Sequence, residues 1–155
     1  MTIPVRLGAP EHLGLVVPDI EAALGRFRAL GHRFAPVTEP LARIRRPGGA
    51  VEETPLRYAT SGGELPYVKL IQEVPESFWQ QDRPGVPWHH VTYWADDLDE
   101  ATGRLVADGF AVEADGLEPD DRVRYRFLRT PEGARIELGL RENRDAFEAW
   151  AGEAI

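Results

Sequence analysis

Two histidines stand at matching places in a chain that repeats itself. "EHLGLVVPDIEAALGRFRALG" (11–31) and "HHVTYWADDLDEATGRLVADG" (89–109) align without a gap at an offset of 78 residues. His12 then falls on His90, Asp19 on Asp97, Ile20 on Leu98, Ala23 on Ala101, Arg26 on Arg104, Phe27 on Leu105 and Gly31 on Gly109. Internal self-similarity of this kind signals a repeated structural unit. A third group, Glu137 in "ARIELGL", occupies the last strand-like run of the second copy, where the first copy has Lys69 in "YVKLIQ". Two imidazoles and a carboxylate from separate strands suit a divalent metal that keeps positions open for substrate. Neutral ring nitrogens donate to the cation, and the carboxylate offsets its charge.

For these groups to meet, the elements that carry them must share a face. Residues 13–17 and 91–95 have strand character, and each run ends at an acid suited to capping a helix, Asp19 or Asp97. Apolar residues then adopt helical spacing: Ile20, Ala23, Leu24, Phe27 and Leu30 in the first copy, Leu98, Ala101 and Leu105 in the second. Gly31 and Gly109 stand where those helices would stop. "HRFAPV", "TPLRYAT" and "PYVKLIQEV" follow the first helix; "FAVEAD", "RVRYRFLRT" and "ARIELGL" follow the second. The predicted order is β-α-β-β-β, twice, an α+β chain with module one at about 10–80 and module two at about 88–141. An amphipathic helix carrying Phe147 and Trp150 closes it at about 143–151. Segment 38–53, rich in Pro, Gly and Arg, is expected as a mobile loop, and "QDRPGVP" (81–87) as the hinge between halves.

Side chains alternate across a strand. Leu13, Leu15 and Val17 are expected to face the first helix, with Val91, Tyr93 and Ala95 facing the second. That leaves His12, Gly14 and Val16, and His90, Thr92 and Trp94, on the opposite face. By the same rule Ile136, Leu138 and Leu140 turn Glu137 inward, and Val68 and Leu70 turn Lys69 inward. His89 is expected to face away from the cleft. Thr92, Trp94 and Tyr67 are candidate walls for a substrate, Trp94 able to stack on a flat one. Arg124 and Arg126, on one side of their strand, are either paired surface charges or a clamp for a carboxylate or phosphate.

Composition narrows the field. The chain has no cysteine, which excludes disulfides, thiolate nucleophiles and Cys-bound zinc. A net charge of −8 argues against nucleic acid or an anionic membrane as partner. No apolar run approaches the ~20 residues of a membrane span, and the first residues lack signal-peptide character, so a cytoplasmic location is the expectation. The basic clusters "RIRR" (43–46) and "RVRYR" (122–126) read as solvated edges or as an anion lining.

The stretches "EHLGLVVPDIEAA", "WHHVTYWADDLDEA" and "TPEGARIELGL" resemble the vicinal oxygen chelate superfamily of glyoxalases, bleomycin-resistance proteins and extradiol dioxygenases, over about residues 11–141. They are most similar to its methylmalonyl-CoA epimerase-like and glyoxalase-like branch. The resemblance implies two βαβββ modules forming a U-shaped open mixed β-barrel with helices outside, a small-molecule substrate, and often a homodimer. It also implies metal ligands at His12, His90 and Glu137, with Glu137 as a possible base. The family's fourth ligand is an acid or amide where this chain has Lys69, and a protonated lysine cannot ligate. Three outcomes stay open: the metal persists with Lys69 aside or on a substrate oxygen; the ammonium replaces the metal, pairs with Glu137 and acts as electrophile; or the cleft only binds. The implied functions follow in that order: a metal-dependent lyase or isomerase enolising a small carbonyl or acyl substrate, then a non-enzymatic drug- or metabolite-binding protein. An iron-dependent ring-cleaving dioxygenase is a further alternative.

Overall fold

The computed structural model describes residues 5–154. In each half a strand runs into a helix: β1 (His12–Val17) into α1 (Ile20–Ala29), and β6 (Trp88–Ala95) into α2 (Leu98–Ala107). The caps are the acids the sequence supplies. Asp19 accepts from the Ala22 amide at 3.0 Å and Asp97 from the Glu100 amide at 2.9 Å. Gly31 and Gly109, at φ +96° and +97°, turn the chain out of each helix in the left-handed region that glycine tolerates.

The remaining strands are β2 (Leu41–Arg45), β3 (Val51–Pro55), β4 (Tyr58–Thr60), β5 (Tyr67–Gln72), β7 (Ala111–Leu117), β8 (Val123–Arg129) and β9 (Arg135–Leu140). All nine form one sheet, ordered β3-β2-β7-β8-β9-β6-β1-β5-β4. β1 and β6 meet antiparallel inside the sheet, each flanked by a parallel partner, β5 and β9. The two repeats therefore join edge to edge through the strands that carry the histidines. The sheet is a curled, open, mixed half-barrel with the first two helices outside.

Helix packing follows the predicted faces. Leu15, Val17, Val68 and Leu70 bury against Ile20, Ala23 and Leu24 of α1, and Ala95 and Leu138 against Leu98 and Ala101 of α2. The hollow is partly filled by a third core of Val16, Ile44, Ile71, Phe78, Trp79 and Phe127, among others. Phe78 and Trp79 come from the connection after β5. Burying each of these large side chains contributes about 1.5–3 kcal/mol, enough to hold that connection inside rather than over the surface.

Two segments differ from expectation. Segment 38–53 is not a free loop: β2 and β3 form a hairpin whose first strand pairs with β7, Ile44 opposite Gly116 and Arg45 opposite Asp115. Ala42 and Ile44 bury while alternate arginines find carboxylates, Arg43 on Glu53 and Asp121, Arg45 on Asp115, Arg46 on Glu52. The "RIRR" cluster is thus a ladder of ion pairs that fastens the first half to the edge of the second. "HRFAPV" (32–37) and the Thr38 that follows it make only isolated bridges, Phe34 to Ser61 and Thr38 to Tyr58. Pro36 between them has no N–H to give a ladder. The C-terminal helix appears as a 3-10 turn (Arg141–Asn143) running into α3 (Arg144–Ala151). No described helix is long and apolar enough to cross a membrane.

Candidate metal centre

His12, on β1, and His90, on β6, meet at the β1–β6 pairing, and Glu137 comes from β9 beside β6. One ligand atom from each of the three lies within 4.8 Å of the others. The Nε2 atoms of His12 and His90 are 3.4 Å apart, and His90 Nε2 is 3.5 Å from Glu137 Oε2. Thr92 stands between them, its hydroxyl donating to Glu137 Oε1 at 3.3 Å and facing His12 Nε2 at 2.8 Å. All four residues are buried.

Burial sets their charge. It lowers the pKa of both histidines well below the ordinary value, with Lys69 adding to the effect on His12 and His89 to that on His90. Both rings are therefore neutral at physiological pH, the form that ligates. Burial also raises the Glu137 carboxyl, opposed by Lys69, Thr92 and Arg124. His12 Nδ1 is buried with no hydrogen-bond partner. Two neutral imidazoles and a desolvated carboxyl, with ligand atoms within 4.8 Å of one another, are a donor set suited to a cation. The donor set fits a divalent metal.

His89 departs from the alternation rule. Gly14 pairs with His90 and Leu15 with Trp88, so β6 carries one extra residue at this point. Such a bulge breaks the two-residue period, and it turns His89 inward beside His90, not away from the cleft. Its Nε2–H donates to the Phe78 carbonyl at 3.0 Å, which leaves Nδ1 of the neutral ring as an acceptor. That atom lies 2.9 Å from His90 Nδ1. His90 must then hold its proton on Nδ1, with the Nε2 lone pair directed at His12 and Glu137. Orientation of a ligating imidazole through its other nitrogen is how metal sites are commonly tuned. Burial holds His89 itself at about 3, with Arg135 adding to it. No single-strand pattern signals this residue, because the bulge is set by pairing.

Three glycines give the aromatic walls their shape. Gly14 faces His90, Gly139 faces Trp94 and Gly116 faces Tyr125 on neighbouring strands. A Cβ at these glycines would come within 2.2 Å of His90, 2.7 Å of Trp94 and 1.9 Å of Tyr125 ring atoms. Each ring thus lies over bare backbone, which leaves the hollow open. Gly14→Ala is expected to push the His90 ring out of place, at about 1–3 kcal/mol for overpacking. Denaturant unfolding measures the loss; a variant as stable as the parent would show that the ring moves aside freely.

The space left is a cavity of about 180 Å³, lined by His12, Lys69, Trp94, Arg124, Glu137 and Phe147, among others. Phe147 on α3 stacks on His12, centroids 5.4 Å apart, and Tyr67 packs near it at 6.3 Å. Lys69 is not lodged among the metal-ligand candidates. Its Nζ lies 4.3 Å from the centre of the Tyr58 ring, and it makes no ion pair among the described residues. Arg124 lines the cavity, with Glu118 3.7 Å away. Arg126 does not: it turns to the helix side and bonds Asp115, Asp99 and Thr102. A break in the β7–β8 register beside Arg124 separates these two arginines. Trp79 had no signal beyond being aromatic, and the amphipathic pattern that placed Phe147 on a helix did not say that the helix closes the cavity.

A duplicated strand–helix unit, curled around a buried pair of histidines and one carboxylate, defines a class of small cavity-bearing α+β proteins. Residues 11–127 match the family model described as Glyoxalase/Bleomycin resistance protein/Dioxygenase superfamily, and the chain belongs to that superfamily. Among solved structures it is similar to methylmalonyl-CoA epimerase from Mycobacterium tuberculosis, at 18% identity and TM-score 0.58, over 95% of this chain and 97% of that one. A hypothetical protein from Bacillus halodurans C-125 is similar at 14% identity and TM-score 0.61, over 85% and 93%. These likenesses establish the shared fold. No match is found among curated proteins.

Proposed function

We propose that this protein is a metal-dependent lyase or isomerase that enolises a small carbonyl or acyl substrate in the cavity beside His12, His90 and Glu137. The supporting observation is the convergence of those three groups in a buried spot, with the His90 Nε2 lone pair left free by the His89 hydrogen bond. A divalent cation held by the three would stabilise negative charge developing on the substrate's carbonyl oxygen. Glu137 takes the proton from the adjacent carbon, and its desolvated carboxylate is the more basic for being buried. Thr92 holds Glu137 in place through its hydroxyl. Trp94 and Phe147 exclude water from the reacting carbon.

Glu137 is the only carboxylate lining the cavity among the described residues, since Lys69 stands where the second acid would be. Proton removal and return then occur on one face of the substrate, which suits a lyase or a proton-shift isomerase better than a two-base epimerase. A second reading, a binding protein that retains a ligand without turnover, is favoured by the same lysine and by the aromatic walls.

Elemental analysis of purified protein separates these readings. One divalent ion per chain is expected, lost in His12→Ala and in His90→Ala. Absence of any ion after equilibration with Mn²⁺, Ni²⁺ or Zn²⁺ would retire the enzyme and leave the binding protein. Iron as the resident metal would favour the dioxygenase branch of the family.

A further inference from the structure

We propose that the cavity selects a small monocarboxylate with a flat apolar body, and that Lys69 is the seat of the carboxylate. The inference rests on the cavity being the ligand site, as in the proposed function, but not on a metal being there. Lys69 is the only lysine in the chain; the other 17 of its 18 basic residues are arginines. It is also distinguished by its partners. Every other half-buried or buried basic side chain among the described residues has a carboxylate within 4 Å, from Arg43 on Asp121 through Arg126 on Asp115 to Arg135 on Glu113. In a protein of net charge −8 acids are abundant, yet among the described residues Lys69 has no carboxylate within 4 Å; its Nζ lies against the Tyr58 ring, and Glu137 acts on it only from farther away.

An ammonium partly withdrawn from water with no counter-ion is costly unless a ligand supplies one. The neighbouring charges sharpen this. Of the ionisable groups lining the cavity, Arg43 is met by Glu53 and Asp121, and Arg124 has Glu118 only at 3.7 Å. Glu137 is turned to His90 and Thr92. Three cations, Arg43, Lys69 and Arg124, thus line the cavity against one acid, Glu137, which acts on Lys69 only from beyond ion-pair distance. Lys69 is the cation with no carboxylate in contact, and a negative charge on the ligand supplies one.

The walls specify the rest of the molecule. Trp94 and Tyr125 line the cavity and pack closely over Gly139 and Gly116, where a Cβ would clash with their rings. Phe147 closes it from α3, with its ring nearly parallel to His12 at 24°. Aromatic walls around about 180 Å³ of space favour an apolar ligand body of about one ring. A carboxylate on Lys69 and a ring between the walls would fill the cavity without displacing His12 or Glu137.

Benzoate tests the assignment, read by the fluorescence of Trp79 and Trp94, both of which line the cavity. Saturable quenching is expected in chelator-treated protein and in protein equilibrated with Mn²⁺. Lys69→Met should weaken binding about tenfold or more, the size of one charge-assisted hydrogen bond. Lys69→Arg should recover part of the loss, and Arg124→Gln should cost about threefold. Benzyl alcohol, flat but uncharged, should bind about tenfold more weakly than benzoate. Circular dichroism of Lys69→Met confirms that the variant is folded, and Lys69→Arg keeps the charge if it is not. Failure of benzoate to saturate the parent protein, equal affinity in parent and Lys69→Met, or equal affinity for benzyl alcohol would each overturn the proposal. Mn²⁺ stoichiometry on the same samples keeps the two readings apart. Benzoate held through Lys69 with no Mn²⁺ retires the metal and spares the seat; Mn²⁺ bound with benzoate ignored does the reverse.

Discussion

Glu137→Gln is expected to stabilise the metal-free protein and to ruin its affinity for a divalent cation. The first effect follows from burial, which raises the carboxyl's pKa above its ordinary value of 4.5 despite the opposing pull of Lys69, Thr92 and Arg124. In the unfolded chain the group ionises at lower pH than in the folded one. Ionisation therefore subtracts from stability as pH rises past the ordinary carboxyl range, and the loss is complete above the folded pKa. A glutamine has nothing to ionise, and its carbonyl still accepts from Thr92. The gain in melting temperature should be absent in acid and grow towards neutral pH. The second effect follows from donor chemistry: an amide offers a cation a neutral oxygen in place of a charged one. As a direct donor in the proposed site, Glu137 should cost more on removal than the ~10–100-fold that follows from removing a group that only orients a ligand. Calorimetric titration with Mn²⁺ and thermal unfolding across pH 4–8 measure both. A variant that melts lower than the parent at pH 8 and binds Mn²⁺ as well would contradict both halves.

Arg135→Met should cost about 3–5 kcal/mol, the usual consequence of removing one partner from a buried ion pair. The Arg135 side chain is 4% exposed. Its guanidinium bonds Glu113 at 2.8 and 2.9 Å, Asp82 at 3.2 Å and the His89 carbonyl at 3.1 Å, and lies 4.8 Å from the Phe78 ring centre. It therefore ties β9 and β7 to the connection between halves and to the bulge that turns His89 inward. Burial works against ionisation of Glu113, but Arg135 and Arg129 override it and hold the carboxyl at about 2. A depressed carboxyl contributes stability above its unfolded pKa of 4.5 and loses it as pH falls towards 2. The gap between parent and Arg135→Met should accordingly be widest at neutral pH and narrow below about pH 4.5. Urea unfolding at pH 7 and pH 3.5 checks this; a gap that does not change with pH would mean that Arg135 acts by packing alone. Since Arg135 also holds the His89 carbonyl, the variant should bind Mn²⁺ more weakly even where it is fully folded.

What one strand or helix decides by itself was readable from the chain. The duplication, the Asp19 and Asp97 caps and the glycine stops are local patterns repeated twice, and repetition makes a weak signal firm. The shared face of His12, His90, Lys69 and Glu137 followed from the two-residue period, which holds wherever strand pairing is regular. Other features depend on pairing between distant strands. The bulge at His89, the register break beside Arg124 and the hairpin crossing to β7 are properties of two strands at once, and no single stretch contains them. Likewise Phe78 and Trp79 enter the hollow, and Phe147 lies on His12, because the curled sheet offers a concave apolar surface to whatever chain passes it. Residue types and alternation thus determined which donors could face one another. Strand register and the filling of the hollow decided how closely they meet, which nitrogen of His90 is free, and where the ammonium of Lys69 comes to rest.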